Sequence, residues 1–85
     1  MIKPTSCPYW VYMLSCRDGS LYTGIAKELE KRLKEHTEGR GSKYMRSRLP
    51  FQLVFKERME THSLALKREA EIKSWSASKK RDLIS

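Results

Sequence analysis

Apolar, aromatic and β-branched residues run almost without interruption through Tyr9-Trp10-Val11-Tyr12-Met13-Leu14-Ser15-Cys16 and stop at Arg17-Asp18-Gly19. Such a run, bounded by a turn signal, predicts a strand, and residues 20–25 predict its antiparallel partner. The length of the connecting loop decides which side chains share a face. A two-residue Asp18-Gly19 turn pairs Arg17 with Ser20 and separates Tyr12 from Tyr22. A three-residue loop with Gly19 at the left-handed bulge position pairs Cys16 with Ser20 instead. It gathers Tyr12, Leu14, Tyr22 and Gly24 on one face. The second register is preferred here, because two phenols and a bare glycine backbone then form a surface that a ligand can approach closely.

Residues 27–38 predict a helix whose apolar stripe holds Leu29 and Leu33, with most charges opposite. Arg32 and His36 depart from that division. They lie one turn apart on the apolar side, where solvation does not explain them. Residues 39–48 carry four cations and no acid and are expected to form an irregular loop ended by Pro50. Residues 51–56 alternate and predict a third strand. Thr61 or Ser63 can cap a helix reaching about Ser74, with Ala65 and Ile72 inward, Leu64 and Trp75 at the flanks, and Glu69 between the inward pair. Ser76 can cap a last short helix ending in Leu83 and Ile84. The order β-β-α-β-α-α, with antiparallel strands, predicts a small α+β domain whose three-stranded sheet is flanked by helices.

The chain has 85 residues, a length for one domain spanning 1–85 with a core of about 9–84. Its 18 Lys and Arg against 10 Asp and Glu give a net charge of +8, with 39% apolar residues. The chain is too apolar for disorder and basic enough to attract polyanions. No apolar run approaches the roughly 20 residues of a membrane span, and the opening residues lack a signal-peptide pattern. A cytoplasmic protein is expected, with no membrane partner. Cys7 and Cys16 have neither Cys-x-x-Cys spacing nor histidines at zinc-ligand intervals, so structural zinc and a disulfide are not expected.

Arg32, His36 and Glu69 on inward stripes, with Tyr12 and Tyr22 on one strand face, form an inventory for phosphodiester chemistry. A carboxylate can hold a hard cation, a guanidinium can fork onto phosphoryl oxygens, and a phenol or imidazole can move protons. At these residues the chain resembles the GIY-YIG endonuclease superfamily, and is similar to the nuclease domain of excision-repair enzymes and of Slx-type structure-specific nucleases. Val11-Tyr12-Met13 and Tyr22-Thr23-Gly24 stand where the two signature triplets are expected. The likeness continues through residues 29–36, 43–48 and 65–70. The first triplet lacks its glycine, Thr23 replaces an isoleucine, and the chain contains no Asn.

The resemblance implies metal-dependent phosphodiester hydrolysis in nucleic acid, with Mg²⁺ or Mn²⁺ on Glu69 and phosphate contact from Arg32. Tyr12 and Tyr22 would activate or orient the attacking water and His36 would assist proton movement. A metal and Arg32 are expected to lower the Tyr12 pKa. The cations Arg40, Lys43, Arg46, Arg48, Lys67, Arg68 and Lys73, with Tyr44 at the rim, would track the nucleic acid, DNA favoured over RNA. With no Asn and a single Gln, Gln52, the chain is poorly equipped to read base edges, so structure selectivity, as in repair or recombination, is expected over sequence selectivity.

Each residue also has a plain structural reading. Tyr12 can pack a hairpin, Glu69 can pair with Lys73 one turn on, His36 can cap its helix, and Tyr44 can anchor the basic loop. Taken jointly, burial of Arg32, His36 and Glu69 for stability alone is a poor explanation, since buried ion pairs roughly break even. Two other functions fit the same fold: a non-catalytic nucleic-acid-binding module, and a docking module built on Trp10, Trp75 and the phenols. A protein partner or a homodimer is compatible with either.

Overall fold

A computed structural model describes residues 8–41 and 43–84; Cys7 lies outside them. Along the chain come β1 (Tyr9–Cys16), β2 (Leu21–Ala26), α1 (Leu29–Thr37), α2 (Lys43–Arg46), β3 (Phe51–Met59), α3 (His62–Lys73) and α4 (Ala77–Ile84). The strands form one antiparallel sheet in the order β2-β1-β3. This is the α+β architecture and the β-β-α-β-α-α order that the sequence predicts, with the short turn α2 added between α1 and β3.

β1 reads as a nearly unbroken apolar run because it is the central strand and is covered on both sides. Its even-numbered residues Tyr12, Leu14 and Cys16 pack with Ala26, Leu29 and Met45. Its odd-numbered residues Val11 and Met13 pack with Ala65 and Ile72 of α3. The sheet therefore separates two small cores, with α1 and α2 on one face and α3 and α4 on the other.

The hairpin takes the three-residue loop. Gly19 has φ 86°, its N–H donates to the Cys16 carbonyl, and the Cys16 N–H donates to Ser20. Tyr12 stands opposite Gly24 and Leu14 opposite Tyr22, which is the register that puts both phenols on one face.

Four local expectations need correction. α1 begins at Leu29 rather than residue 27, because Glu28 keeps an extended backbone. The segment expected to be irregular contains the helical turn α2, held by the fully buried Met45, whose Sδ lies 3.7 Å from Cys16 Sγ. β3 runs three residues past Lys56, since Glu57, Arg58 and Met59 pair with Val11, Trp10 and Tyr9, and a bulge at Met13/Leu14 absorbs the register change. Leu64 is exposed rather than flanking the inward stripe. The caps follow expectation: Thr61 Oγ1 accepts from Leu64 N–H at 3.1 Å and Ser76 Oγ from Lys79 N–H at 3.2 Å. Among the described residues no helix is long and apolar enough to cross a membrane.

Candidate active site

The site begins at the middle of β1. Tyr12 is 1% exposed, and its ring lies across Gly24 of the neighbouring edge strand. A Cβ at Gly24 would stand 2.8 Å from Tyr12 Oη and 3.1 Å from Tyr22 Cε2, so the second triplet ends in glycine for want of room. Tyr12 Oη hydrogen-bonds His36 Nε2 at 3.0 Å, across 24 residues of sequence.

His36 reaches that bond because of how α1 ends. The N–H of Gly39 donates to the His36 carbonyl and that of Arg40 to Glu35, the paired bonds of a Schellman stop, with Gly39 at φ 79°. The chain then doubles back, and Gly41 N–H also reaches the Glu35 carbonyl. Gly41 is thereby laid against the imidazole, where a Cβ would fall 2.5 Å from His36 Nδ1. Gly41 was not among the residues singled out from the sequence; its signal was a second glycine two positions after a helix stop. Gly24→Ala and Gly41→Ala should each cost about 1–3 kcal/mol by overpacking. In a domain of this size that lowers Tm by several degrees or more in a circular-dichroism melt. An unchanged Tm in either variant would show that its close approach is not real.

The remaining residues surround this bond. Tyr22 meets the His36 ring edge-on at 5.5 Å and lies 6.3 Å from Tyr12, centroid to centroid. Arg32, one turn before His36, is partly exposed and pairs with Glu35 at 3.6 Å. Glu69 sits on α3, on the opposite side of the sheet from His36, yet its charge and that of Arg32 both act on the Tyr12 phenol. Tyr12, Tyr22 and His36 thus form one cluster with Arg32 a turn away on α1, while Glu69 acts on Tyr12 through its charge from the α3 side of the sheet. Glu69 is mostly buried and pairs with Lys73 at 3.1 Å, the intrahelical partner that the plain reading offered it.

Burial sets the protonation states. Desolvation is the largest effect on Tyr12 and pushes its pKa well above the ordinary tyrosine range; Tyr22 and Glu69 add to the rise, and Arg32 opposes it. Arg32 acts in the expected, lowering direction, but burial outweighs it. Burial first, then Arg32, lowers the His36 pKa against a smaller opposing effect of Glu35, so the imidazole is neutral at pH 7. Its Nδ1 is buried without a hydrogen-bond partner among the described residues. A histidine with a lowered folded-state pKa stabilises the fold fully above its unfolded value of about 6.5, and that stability is lost as pH falls from there through the lowered value. Urea unfolding at pH 7.5 and 5.5 should show the loss, and His36→Gln should flatten it. An equal slope in the variant would assign the pH dependence elsewhere.

The basic residues divide into two groups. Arg40 pairs with Glu38, Arg48 with Asp18 at 3.0 Å, Arg68 with Glu57 at 2.8 Å and Glu71 at 2.9 Å, and Lys73 with Glu69. Among the described residues Lys43, Arg46 and Lys67 form no ion pair. Arg48 supports the structure, with its guanidinium 3.8 Å over the Tyr44 ring. Tyr44 donates to Ser20 Oγ, Ser20 donates to Asp18, and Asp18 accepts from Arg48. This closed circuit fixes α2 to the hairpin turn and holds Tyr44 5.5 Å from Tyr22 at the rim. Asp18 and Ser20 thus support the site, though in the sequence they look only like turn residues.

The likeness to known proteins extends over most of the chain. A family model described as the GIY-YIG catalytic domain matches residues 8–82. The chain is 53% identical over 77 residues to the UPF0213 protein SSP2268 of Staphylococcus saprophyticus, covering 91% of this chain and 94% of that one. It is 50% identical over 76 residues to a UPF0213 protein of Staphylococcus aureus, covering 89% and 93%. Among solved structures it is similar to the solution structure of the UPF0213 protein BH0048 from Bacillus halodurans, with a TM-score of 0.60 and 40% identity over 91% of this chain and 82% of that one. The solution structure of EF2693 from E. faecalis gives a TM-score of 0.61 and 38% identity over 98% and 88%.

Proposed function

Since the chain belongs to the GIY-YIG family, a nuclease family that acts on nucleic acid, we propose that it is a metal-dependent endonuclease that cuts nucleic-acid phosphodiester bonds, selecting DNA by structure rather than sequence in repair or recombination. The observation that carries this reading is the buried Tyr12–His36 hydrogen bond under the joint influence of Arg32 and Glu69. A core built only for stability gains little from a phenol and an imidazole bonded beside two opposite charges.

A hard divalent cation fits the donor set, in one particular way. Glu69 is a mostly buried carboxylate on α3 whose charge acts on the Tyr12 phenol. Among the described residues no three His, Cys, Asp or Glu side chains gather to cage a metal. Mg²⁺ or Mn²⁺ would therefore take Glu69, keep several waters and share the substrate phosphate, which Mg²⁺ tolerates well. When bound, it would polarise the phosphoryl oxygen and favour the developing charge.

The chain's own residues account for proton and phosphate handling. With its ring proton on Nδ1, neutral His36 accepts the Tyr12 proton at Nε2, which leaves the Tyr12 oxygen lone pairs for an attacking water. As that water attacks phosphorus, its proton passes to Tyr12 while the Tyr12 proton passes to His36. The phenol need not ionise beforehand, so its raised pKa is compatible with action at neutral pH. Arg32 forks onto the phosphoryl oxygens, exchanging Glu35 for a stronger anion. Tyr22, held by Tyr44 and His36, orients the water or the phosphate from the open side.

Incubation of the purified chain with branched, flapped, single-stranded and duplex DNA and RNA, in Mg²⁺, Mn²⁺ or chelator, tests the reading. Cleavage that needs metal and prefers one DNA structure is expected. Binding with no cleavage of any substrate would replace the nuclease with a nucleic-acid-binding module.

A further inference from the structure

A cavity opens beside Tyr22, around the free edge of β2. It has a volume of about 280 Å³ and is lined by Leu21, Tyr22, Thr23, Tyr44, Lys73 and Lys80. Its walls come from both sides of the sheet, because Tyr22 faces the Tyr12 side while Leu21 packs with the α3 core. Two cations line it and no carboxylate does. The cavity beside Arg32 differs, with Glu28 and Glu35 among its cations. Thr23 is 4% exposed, and its Oγ1 has no hydrogen-bond partner among the described residues. Lys80 is half-buried on α4 and enters no ion pair among the described residues, whereas its neighbour Lys79 lies 4.6 Å over the Trp75 ring.

We propose that this cavity is a phosphate-binding subsite for the nucleic-acid strand held in the cleft, with Lys73 and Lys80 as its cations and the Tyr22–Tyr44 pair as its wall. The strand as ligand rests on the nuclease reading; the affinity for phosphate does not. With Lys73 paired to Glu69 and Lys80 in no ion pair among the described residues, the concave site keeps an uncompensated positive charge that favours an anion, and phosphate suits point charges that need no fork geometry. Tyr22 borders both the cleft and this cavity, so a strand with its scissile phosphate near Tyr12 passes over the β2 edge toward Lys80. Lys73 also lies 3.1 Å from Glu69. A phosphate here competes with Glu69 for the same ammonium and leaves the carboxylate free for a cation.

The test is an amide chemical-shift titration of the full chain with inorganic phosphate, then with a short single-stranded DNA carrying or lacking a 5′-phosphate. Wild type should respond at residues 21–23, Lys73 and Lys80, and Lys80→Met should lose that response while its other resonances stay in place. Lys80→Arg should recover it. Lys80→Met should also weaken DNA binding and reduce the slope of log K against log salt by about 0.7, one phosphate contact to a single strand. A response confined to phosphate and the 5′-phosphorylated strand identifies a terminal phosphate; an equal response from both strands identifies an internal one. Shifts spread evenly over the basic surface, or an unchanged salt slope in Lys80→Met, would overturn the subsite. If no substrate is cut but the phosphate response persists, the nuclease reading fails and the anion site stands.

Discussion

Glu69→Gln should abolish cleavage while leaving nucleic-acid affinity equal or higher. The substitution keeps the size of the side chain and a hydrogen-bonding end but removes the carboxylate on which the cation would rest. Loss of one fixed group that stabilises transition-state charge costs about 10²–10³ in kcat, and the loss of a metal should reach at least that range. Binding moves the other way, because a negative charge beside phosphate disappears. The fold should hardly notice: the Glu69–Lys73 pair is an i,i+4 contact with Lys73 more than half exposed, worth about 0.3–0.5 kcal/mol. Equal Tm values for variant and wild type would therefore tie lost turnover to chemistry. Arg32→Ala should behave differently and lower affinity and rate together, since a guanidinium on the phosphate serves both. Turnover of Glu69→Gln at the wild-type rate would remove Glu69 from the metal assignment.

How far these assignments were legible in the sequence depended on the range of the interaction behind each. Local turn chemistry at Asp18-Gly19 narrowed the hairpin to two registers, and the one that gathers both phenols and Gly24 on one face is the one that forms, with Tyr12 opposite Gly24. Arg32 and His36 were legible because helical geometry fixes an i,i+4 pair on one face. Glu69 stood out as the carboxylate on an inward stripe, but its route to the site did not. It lies on the opposite side of the sheet from His36, and its electrostatic effect on Tyr12 depends on tertiary packing. Lys73 was read as a phosphate contact and as an ion-pair partner for Glu69, and it holds the second place in the free protein. The turn α2 escaped because Met45 stands among four cations and only its burial against Cys16 reveals the helix. Arg48 looked like one more cation on a loop. A pairing with Asp18, thirty residues away in sequence, made it part of the support for Tyr44.

Tyr12→Phe should lower cleavage by about 10²–10⁴-fold, the usual contribution of a positioned proton-transfer group. The phenyl ring keeps its place over Gly24 and against Leu14, so only one oxygen is lost. The cost in stability arises at His36. Its Nδ1 already lacks a partner among the described residues, and the variant would strip Nε2 as well, at about 1–3 kcal/mol for a buried polar group left unpaired. A second variant separates chemistry from folding. His36→Gln removes the proton acceptor while keeping a polar group near the phenol, and alone it should also lower the rate. If Tyr12 and His36 act as one relay, the double variant should be scarcely slower than the worse single one, because each change already breaks the same path. The wild-type rate should rise with pH through the lowered His36 pKa and lose that dependence in His36→Gln. Multiplying rate losses in the double variant would separate the two residues. A Tyr12→Phe enzyme within tenfold of wild type would take the Tyr12 phenol out of the proton path and leave Tyr22, 5.5 Å from the His36 ring, as the phenol that handles the water.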